Sequence, residues 1–300
     1  MIMFHQAVLL HESVQGLHIQ PKGIYVDATF GGGGHARAIL RQLSTGRLLA
    51  FDQDQDVSQN LLIDERFTFI PHNFKYLKNF LQLYNAIPVD GILADLGVSS
   101  HQFDTAEKGF SFRADSRLDM RMDSTNPTDA YQVVNQYEES ELKRIFRLYG
   151  ELPQAAKLAH QLTQARIHKP IATTFELRDI AVPLFPIGKE NKHLAQLFQA
   201  IRMEVNAEVK ALESFLIQAI QLLRPGGRLV VISYHSIEDR MVKNFIRSGN
   251  ASGVVEKDFF GNNLSPMKAV GRLIVPSETE IEQNSRARSA KLRIGEKIAK

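Results

Sequence analysis

A glycine-rich turn and an acidic residue downstream of it lie near the start of the sequence. Residues 26–36 read Val-Asp-Ala-Thr-Phe-Gly-Gly-Gly-Gly-His-Ala, an apolar run that leads through four glycines into an amphipathic segment. Glycines lack a Cβ atom, so their N–H groups can approach a ligand closely, and the N-terminus of a following helix adds positive potential. Gly31, Gly33 and Ala36 match the dinucleotide fingerprint G-x-G-x-x-G/A, and Asp52 follows about 20 residues later, where it could hold ribose hydroxyls. The pattern predicts a nucleotide-type cofactor, and alone it fits a nicotinamide dehydrogenase about as well as a methyltransferase.

Two features favour the methyltransferase. Asp27 lies just before the glycines, where its carboxylate can face the sulfonium or the ammonium group of S-adenosylmethionine but would repel a pyrophosphate. The segment 222–232 has a helix-Pro-Gly-Gly-strand pattern that resembles the late helix-to-strand turn of the S-adenosylmethionine methyltransferase sheet. S-adenosylmethionine is therefore the expected cofactor.

A third acidic residue, Asp95, stands at the end of another apolar run, in the string Ala-Asp-Leu-Gly-Val-Ser-Ser-His-Gln over residues 94–102. Ligands of open α/β sheets bind outside the carboxyl ends of the strands, so Asp95 should point into the site. Its carboxylate could accept a hydrogen bond from a target amine and stabilise the positive charge that develops on it. Asp95 is the candidate catalytic residue; capping of the next helix is the alternative role.

The elements that must position these residues alternate between strands and helices. Apolar runs predict strands at 24–26, 47–51, 67–70, 91–94 and 228–233. Helices are expected at 35–43 and 207–223, with Gly226 and Gly227 turning the chain after the second of them. Such alternation indicates an α/β fold of the Rossmann-like, doubly wound type with a mostly parallel sheet.

The alternation stops in the middle of the chain. Helical spacing of apolar residues runs through 129–149, 154–166 and 175–180 without intervening strands, and Thr173 with Glu176 reads as a capping box. We therefore expect a discontinuous methyltransferase domain formed by residues 1–108 and 207–300, with an inserted all-helical substrate-recognition domain at 109–206.

Composition excludes several classes of protein. The 300 residues are 44% hydrophobic and 23% charged, which is typical of a globular chain, and no apolar run reaches the roughly 20 residues that cross a bilayer. With no basic leader before the first apolar stretch, a cytoplasmic protein without membrane contact is expected. The chain has no cysteine, and it contains no H-E-x-x-H, P-loop or G-x-S-x-G motif, so no metal site is predicted.

Positive charge is concentrated at the C-terminus. The net charge of the chain is only +3, yet residues 284–300 carry six lysines and arginines against Glu296 alone. Either a solvated terminal segment or a contact with a polyanion fits this composition.

Nine strings of the sequence resemble the MraW family of bacterial small-subunit ribosomal RNA methyltransferases. They occur in the family's order between His5 and Arg293: HQAVLLHES, VDATFGGGGHA, LLAFDQD, LADLGVSSHQFD, GFSF, LDMRMD, FQAIRMEVNAE, LRPGGRLVVISYHSIEDRMVK and SRARSAKLR. The resemblance implies a class I S-adenosylmethionine-dependent methyltransferase with an inserted helical domain. It implies methylation of the N4 amino group of a specific cytidine in 16S ribosomal RNA near the decoding region. The partner would be that RNA or the ribosomal subunit, and a homodimer is one state that the sequence leaves open.

The same resemblance implies roles for individual residues. Besides Asp27, the expected cofactor-binding residues are Gly33, Gly34, His35, Asp52, Phe74, Asp95 and Gln102. The expected substrate residues are Ser99, Arg121, His235, Arg286 and Arg288. Three of these have structural alternatives: Phe74 as a core phenylalanine instead of an adenine contact, His235 as a structural histidine, and Arg121 as an intramolecular salt-bridge partner.

Two other functions remain open at this point. One is a nonenzymatic, S-adenosylmethionine-binding ribosome assembly factor, which would keep the same cofactor residues. The other is a nicotinamide-dependent oxidoreductase, for which only the glycine turn argues.

Overall fold

The computed structural model describes residues 7–97 and 108–299. The chain divides into two compact units, one formed by Met1–Gly97 with Lys210–Lys300 and the other by Val98–Val209. No helix in the described part of the chain is long and apolar enough to span a membrane.

The first unit contains one sheet, which has seven strands within the described residues, in the order β3-β2-β1-β4-β5-β7-β6. The strands are β1 (Ile24–Asp27), β2 (Arg47–Phe51), β3 (Phe67–Ile70), β4 (Val89–Asp95), β5 (Leu223–Ser233), β6 (Met267–Ala269) and β7 (Lys291–Lys297). β1 to β5 pair in parallel, whereas β7 is antiparallel to both β5 and β6. The strand order reverses beside β1, where β2 lies on one side and β4 on the other, so the predicted doubly wound α/β fold is confirmed.

Helices cover both faces of this sheet. They are α1 (Leu10–Leu17), α2 (Gly34–Leu40), α3 (Leu77–Leu83), α9 (Glu208–Leu222), which begins at the boundary of the unit, α10 (Ser236–Ser248) and α11 (Glu278–Gln283). Alternate strand residues enter two separate cores: Val26 packs with residues of α3, α9 and α10, and its neighbour Tyr25 packs with residues of α1 and α2. A strand buried on both faces is apolar over its buried part, which is why residues 24–26 of β1, 48–51 of β2 and 91–94 of β4 are runs without a charged residue.

The second unit is helical within its described residues, as the spacing predicts. It contains α4 (Ala130–Gln136), α5 (Glu139–Leu148), α6 (Ala155–His168), α7 (Thr174–Ala181) and α8 (Glu190–Val205), packed around a core of their own. The Thr173 capping box is confirmed, because the Thr173 hydroxyl accepts from the Glu176 N–H at 3.3 Å and the Glu176 side chain accepts from the Thr173 N–H at 3.2 Å. The predicted helical stretch 129–149 is two helices, because the backbone is extended at Tyr137 and Glu138, and a capping box at Glu138 then begins α5.

Two features of the first unit differ from the sequence-based expectations. β5 begins at Leu223 instead of Arg228: Leu223 pairs with Val89 and Arg228 with Gly91, so the residues between them bulge out of the ladder. The basic C-terminus contains β7, whose Leu292 and Ile294 are buried, and the Lys297 ammonium donates to the Leu223 carbonyl at 2.7 Å. Residues 291–297 of this segment are therefore part of the sheet and not a solvated tail.

Candidate cofactor and catalytic site

The glycine turn follows β1, and no atoms lie close to the Cβ side of two of its glycines. Gly31 and Gly33 have φ angles of 50° and 71°, in the left-handed region that favours glycine, and Gly33 is the N-cap of α2. A Cβ atom added at Gly31 or Gly32 would meet nothing within 4 Å, whereas one added at Gly33 would lie 3.0 Å from the Phe30 ring. The backbone of this turn is thus accessible to a ligand on one side and closely packed on the other.

Asp52 joins the end of β2 to this turn. Its Oδ2 accepts from the Gly31 N–H at 2.8 Å, and its Oδ1 accepts from the Asp54 N–H at 2.9 Å. Burial raises the pKa of Asp52, although these backbone hydrogen bonds act in the opposite direction. Each carboxylate oxygen keeps acceptor capacity that a hydroxyl group of a ligand could use.

Asp27, the last residue of β1, is completely buried. Its Oδ1 accepts from the Thr29 N–H at 3.1 Å, whereas its Oδ2 is buried and has no hydrogen-bond partner among the described residues. Burial raises the pKa of Asp27 to about 7, and the negative potential of Asp95 and Asp52 contributes in the same direction. A buried carboxylate oxygen without a protein partner is costly, so Oδ2 of Asp27 is suited to a positively charged or hydrogen-bond-donating group of a ligand.

Asp95 ends β4 on the neighbouring strand. Its N–H donates to the Thr29 hydroxyl at 2.7 Å, which ties the end of β4 to the residues that follow β1. The Tyr234 hydroxyl donates a hydrogen bond to the Asp95 carboxylate, while Oδ1 of Asp95 is buried without a partner among the residues described. Burial raises the pKa of Asp95, and the Tyr234 hydrogen bond partly opposes this. Capping by Asp95, the alternative role, concerns a segment that lies outside the described residues.

His35 and Phe74 lie on the elements expected. His35 lies in the first turn of α2, is buried, and has its Nε2 3.2 Å from the Val8 carbonyl oxygen, so Nε2 carries the proton. Burial lowers the pKa of His35, which favours the neutral ring. Phe74 follows β3 and is half-buried, with its ring centroid 5.1 Å from that of Phe215 in an edge-to-face arrangement. Phe74 thus has a core contact and also an accessible part of its ring.

Other predicted residues are distributed more widely. Gln102 and Ser99 lie outside the described residues. Arg121 belongs to the second unit, where its Nε and Nη2 donate to the Asp119 carboxylate at 2.8 and 2.7 Å, and its Nη1 donates to two backbone carbonyls. This arrangement fits the salt-bridge alternative for Arg121. Arg286 and Arg288 are exposed, in a 3-10 turn over Ser285–Ser289.

His235 is the N-cap of α10 and lies two residues after the end of β5. Its Nδ1 lies 3.5 Å from the Glu238 N–H nitrogen, and its Nε2 lies 3.0 Å from the Glu238 Oε1. Glu238 is itself buried and accepts from the Tyr234 N–H at 3.0 Å. These contacts show a local structural role for His235, and a role toward substrate stays a prediction.

Sequence reasoning missed Thr29 and Tyr234. Thr29 lies within the glycine motif, and Tyr234 follows the carboxyl end of β5, where a polar side chain could have been examined by the rule already applied to Asp95. Burial and the neighbouring Asp95 raise the pKa of Tyr234 far above its usual range, so its hydroxyl keeps its proton and remains a donor.

The residues at this edge of the sheet fit a cationic nucleoside cofactor. Three carboxylates with raised pKa, Asp27, Asp52 and Asp95, lie around the glycine turn, and two of them have a buried oxygen without a partner in the described structure. A pyrophosphate would be repelled by this charge, whereas a sulfonium and an ammonium group would compensate it. Together with the doubly wound sheet, the site defines an S-adenosylmethionine-dependent methyltransferase.

Comparison with known proteins gives the family. A model of the MraW methylase family matches residues 2–298, and the chain belongs to this family. A protein of Flavobacterium johnsoniae named ribosomal RNA small subunit methyltransferase H is 56% identical over 98% of both chains. Proteins of the same name from Christiangramia forsetii and Bacteroides thetaiotaomicron are each 54% identical, over 98% and 99% of this chain and 98% of theirs.

Proposed function

We propose that this chain methylates the N4 amino group of a specific cytidine in the small-subunit ribosomal RNA, near the decoding region. The proposal rests mainly on Asp95, which lies at the carboxyl end of β4. Its Oδ1 is buried without a partner in the described structure, and its backbone N–H donates to the Thr29 hydroxyl beside the glycine turn. The names of the relatives support ribosomal RNA of the small subunit as the substrate.

The glycine turn and its acidic neighbours would hold the cofactor. When bound, S-adenosylmethionine supplies a methyl group on a positively charged sulfur. Asp27 would face the positive charge with its free Oδ2, Asp52 would accept hydrogen bonds from ribose hydroxyls, and Phe74 would pack against the adenine. Gly33, Gly34 and His35 would form the wall of the turn, and Gln102 joins this set by the family resemblance.

Asp95 would act on the target amine. An exocyclic amine of cytosine is weakly nucleophilic because its lone pair is delocalised into the ring, and a carboxylate that accepts one of its hydrogens raises its electron density. The same carboxylate stabilises the positive charge that the nitrogen acquires. Because burial raises the pKa of Asp95, this carboxylate is also a stronger proton acceptor than an exposed aspartate. The target base must be unpaired or turned out of its stack to present the amine.

The helical unit and the C-terminal cations are proposed to recognise the RNA around the target. Residues 109–206 are the proposed substrate-recognition domain. Arg286 and Arg288 are exposed and follow α11, so they are candidates for phosphate contacts, together with Ser99 and His235. The contacts of Arg121 favour a structural contribution of this arginine to the helical unit.

The competing function is a nonenzymatic cofactor-binding assembly factor, and Asp95 separates the two. Asp95→Asn keeps the shape of the side chain but removes the carboxylate, and we expect it to lower methyl transfer to isolated small subunits by about 10²- to 10⁴-fold, the range for a general base. Glu65→Gln, an exposed carboxylate in the same unit, is the matched control and should retain full activity. An Asp95→Asn protein with normal turnover would contradict the proposed role.

A further inference from the structure

We propose that the segment between α10 and β7 carries a second nucleic-acid contact: a single-stranded stretch of the RNA substrate stacks its bases on Phe259 and Phe260 and places its phosphates on Lys243 and Arg272. This inference rests on the proposed function, and it concerns a surface formed by residues other than those of the cofactor and catalytic site.

Phe259 and Phe260 are large apolar side chains held out into solvent. They are 98% and 85% exposed, and their ring centroids are 5.7 Å apart with an interplanar angle of 86°. Burying one such ring on folding is worth about 2 kcal/mol, so two adjacent exposed rings indicate a partner.

The loop that carries this pair of rings is structured. Lys257 and Asn263 form an antiparallel bridge, and Asp258 Oδ1 accepts from the N–H groups of Phe260 and Asn262 at 2.9 and 2.8 Å. Gly261, with a φ angle of 84°, completes the turn. These contacts hold the backbone of the loop, so the two rings extend from a structured turn, which favours their use as a stacking platform.

A cavity of about 450 Å³ begins where this hairpin ends. Asn263, the last residue of the bridge, lies in the cavity wall and donates from its side chain to the Arg247 carbonyl at 3.2 Å. Buried Ile246 and Met267 contribute an apolar part of the lining. The volume falls in the ~300–1,000 Å³ range of small-molecule sites, so it can accommodate a nucleobase.

The cavity and the hairpin lie in the most basic part of the first unit outside the C-terminus. Residues 240–275 contain six lysines and arginines against Glu256 and Asp258, an excess larger than the net charge of the whole chain. Lys243 and Arg272 line the cavity, are exposed, and form no ion pair with any residue that the structure describes. Exposed aromatic rings and cations without ion pairs within one segment of the chain are typical of proteins that bind single-stranded RNA.

The test uses the full chain and a fluorescently labelled single-stranded RNA of roughly 12 nucleotides, within the usual range of site sizes. Phe259→Leu combined with Phe260→Leu keeps apolar side chains but removes both aromatic rings, and we expect the affinity to fall about tenfold or more. Ile63→Ala, which removes a fully exposed apolar side chain elsewhere in the same unit, should leave the affinity unchanged. Lys243→Ala and Arg272→Ala should each reduce the slope of log affinity against log salt by about one.

The absence of tryptophan from the chain offers a direct readout of stacking. Phe260→Trp introduces the sole tryptophan, and its emission should be quenched when RNA binds. RNA binding without quenching, or an unchanged affinity of the double leucine variant, would overturn the inference. If that variant instead loses only binding to whole subunits and keeps its affinity for RNA, the rings contact a protein and the inference is equally overturned. Methyl transfer by the wild-type protein is measured in parallel. If methyl transfer is normal but the RNA-stacking results are negative, the further inference fails while the proposed function stands.

Discussion

Replacing Asp27 by asparagine should change the pH dependence of stability in a specific direction. Burial raises the pKa of Asp27 from 3.8 in the unfolded chain to about 7 in the folded protein. The folded state binds the Asp27 proton more tightly than the unfolded chain does. The favourable contribution of this proton to the free energy of unfolding is therefore complete below pH 3.8 and is lost as the pH rises toward about 7. Each pKa unit corresponds to about 1.4 kcal/mol, so between pH 5 and pH 8 the wild-type protein should lose about 3 kcal/mol relative to Asp27→Asn.

The assay is urea unfolding without cofactor at pH 5, 6, 7 and 8. The buried amide NH₂ of the variant adds a penalty of about 1–3 kcal/mol, but this penalty does not vary with pH, so the change in the difference remains diagnostic. The difference in unfolding free energy between the control variant Glu65→Gln and the wild-type protein should be the same at all four pH values. If the difference in unfolding free energy between Asp27→Asn and the wild-type protein is also independent of pH, the view that Asp27 ionises in the folded protein at a cost in stability is refuted.

Three further predictions concern the same edge of the sheet. The affinity of the wild-type protein for S-adenosylmethionine, measured by calorimetry, should rise with pH up to about 7 as Asp27 ionises, and Asp27→Asn should bind more weakly with little pH dependence. Tyr234→Phe removes a hydrogen bond that lowers the pKa of Asp95, so the acidic limb of the pH profile of kcat/KM should move to higher pH. Gly33→Ala should weaken cofactor binding at least tenfold and destabilise the protein by about 1–2 kcal/mol, because a side chain there has a positive φ and contacts Phe30.

The glycine prediction has a matched comparison. Gly226→Ala introduces the same unfavourable φ where a Cβ atom would meet nothing within 4 Å, so it should destabilise the protein without weakening cofactor binding. Equal losses of affinity in the two glycine variants would show that strain alone is responsible. A pH profile of Tyr234→Phe that coincides with the wild-type profile would remove Tyr234 from any influence on Asp95.

The parts of the fold that were predicted well depend on local patterns in the sequence, such as apolar runs and glycine clusters. β2 and β3 have the predicted bounds, because each is a short, mostly apolar run; β2 is buried from Leu48 to Phe51, whereas β3, at the edge of the sheet, is only partly buried. The glycine turn was recognisable because positive φ angles at Gly31 and Gly33 need glycine. Asp27, Asp52 and Asp95 follow from position alone, since carboxyl ends of parallel strands meet at one edge.

Features that depend on distant partners were not predictable in the same way. The alternation of buried Leu292 and Ile294 with polar neighbours is a strand signal, but the high charge of the segment obscured it. The basic side chain of Arg293 tolerates this position because it pairs with Asp239 at 2.7 Å, 54 residues earlier in the chain. The hydrogen bond between Tyr234 and Asp95 likewise joins the ends of two strands that are far apart in sequence.

The most direct test is methyl transfer from labelled S-adenosylmethionine to small ribosomal subunits isolated from cells that lack this protein, followed by nucleoside analysis of the digested RNA. We expect the label in N4-methylcytidine, with its appearance abolished or strongly reduced by Asp95→Asn. Label in another nucleoside would contradict the proposed substrate position. Absence of label from a wild-type protein that binds the cofactor would contradict the methyl-transfer role and favour the assembly-factor function.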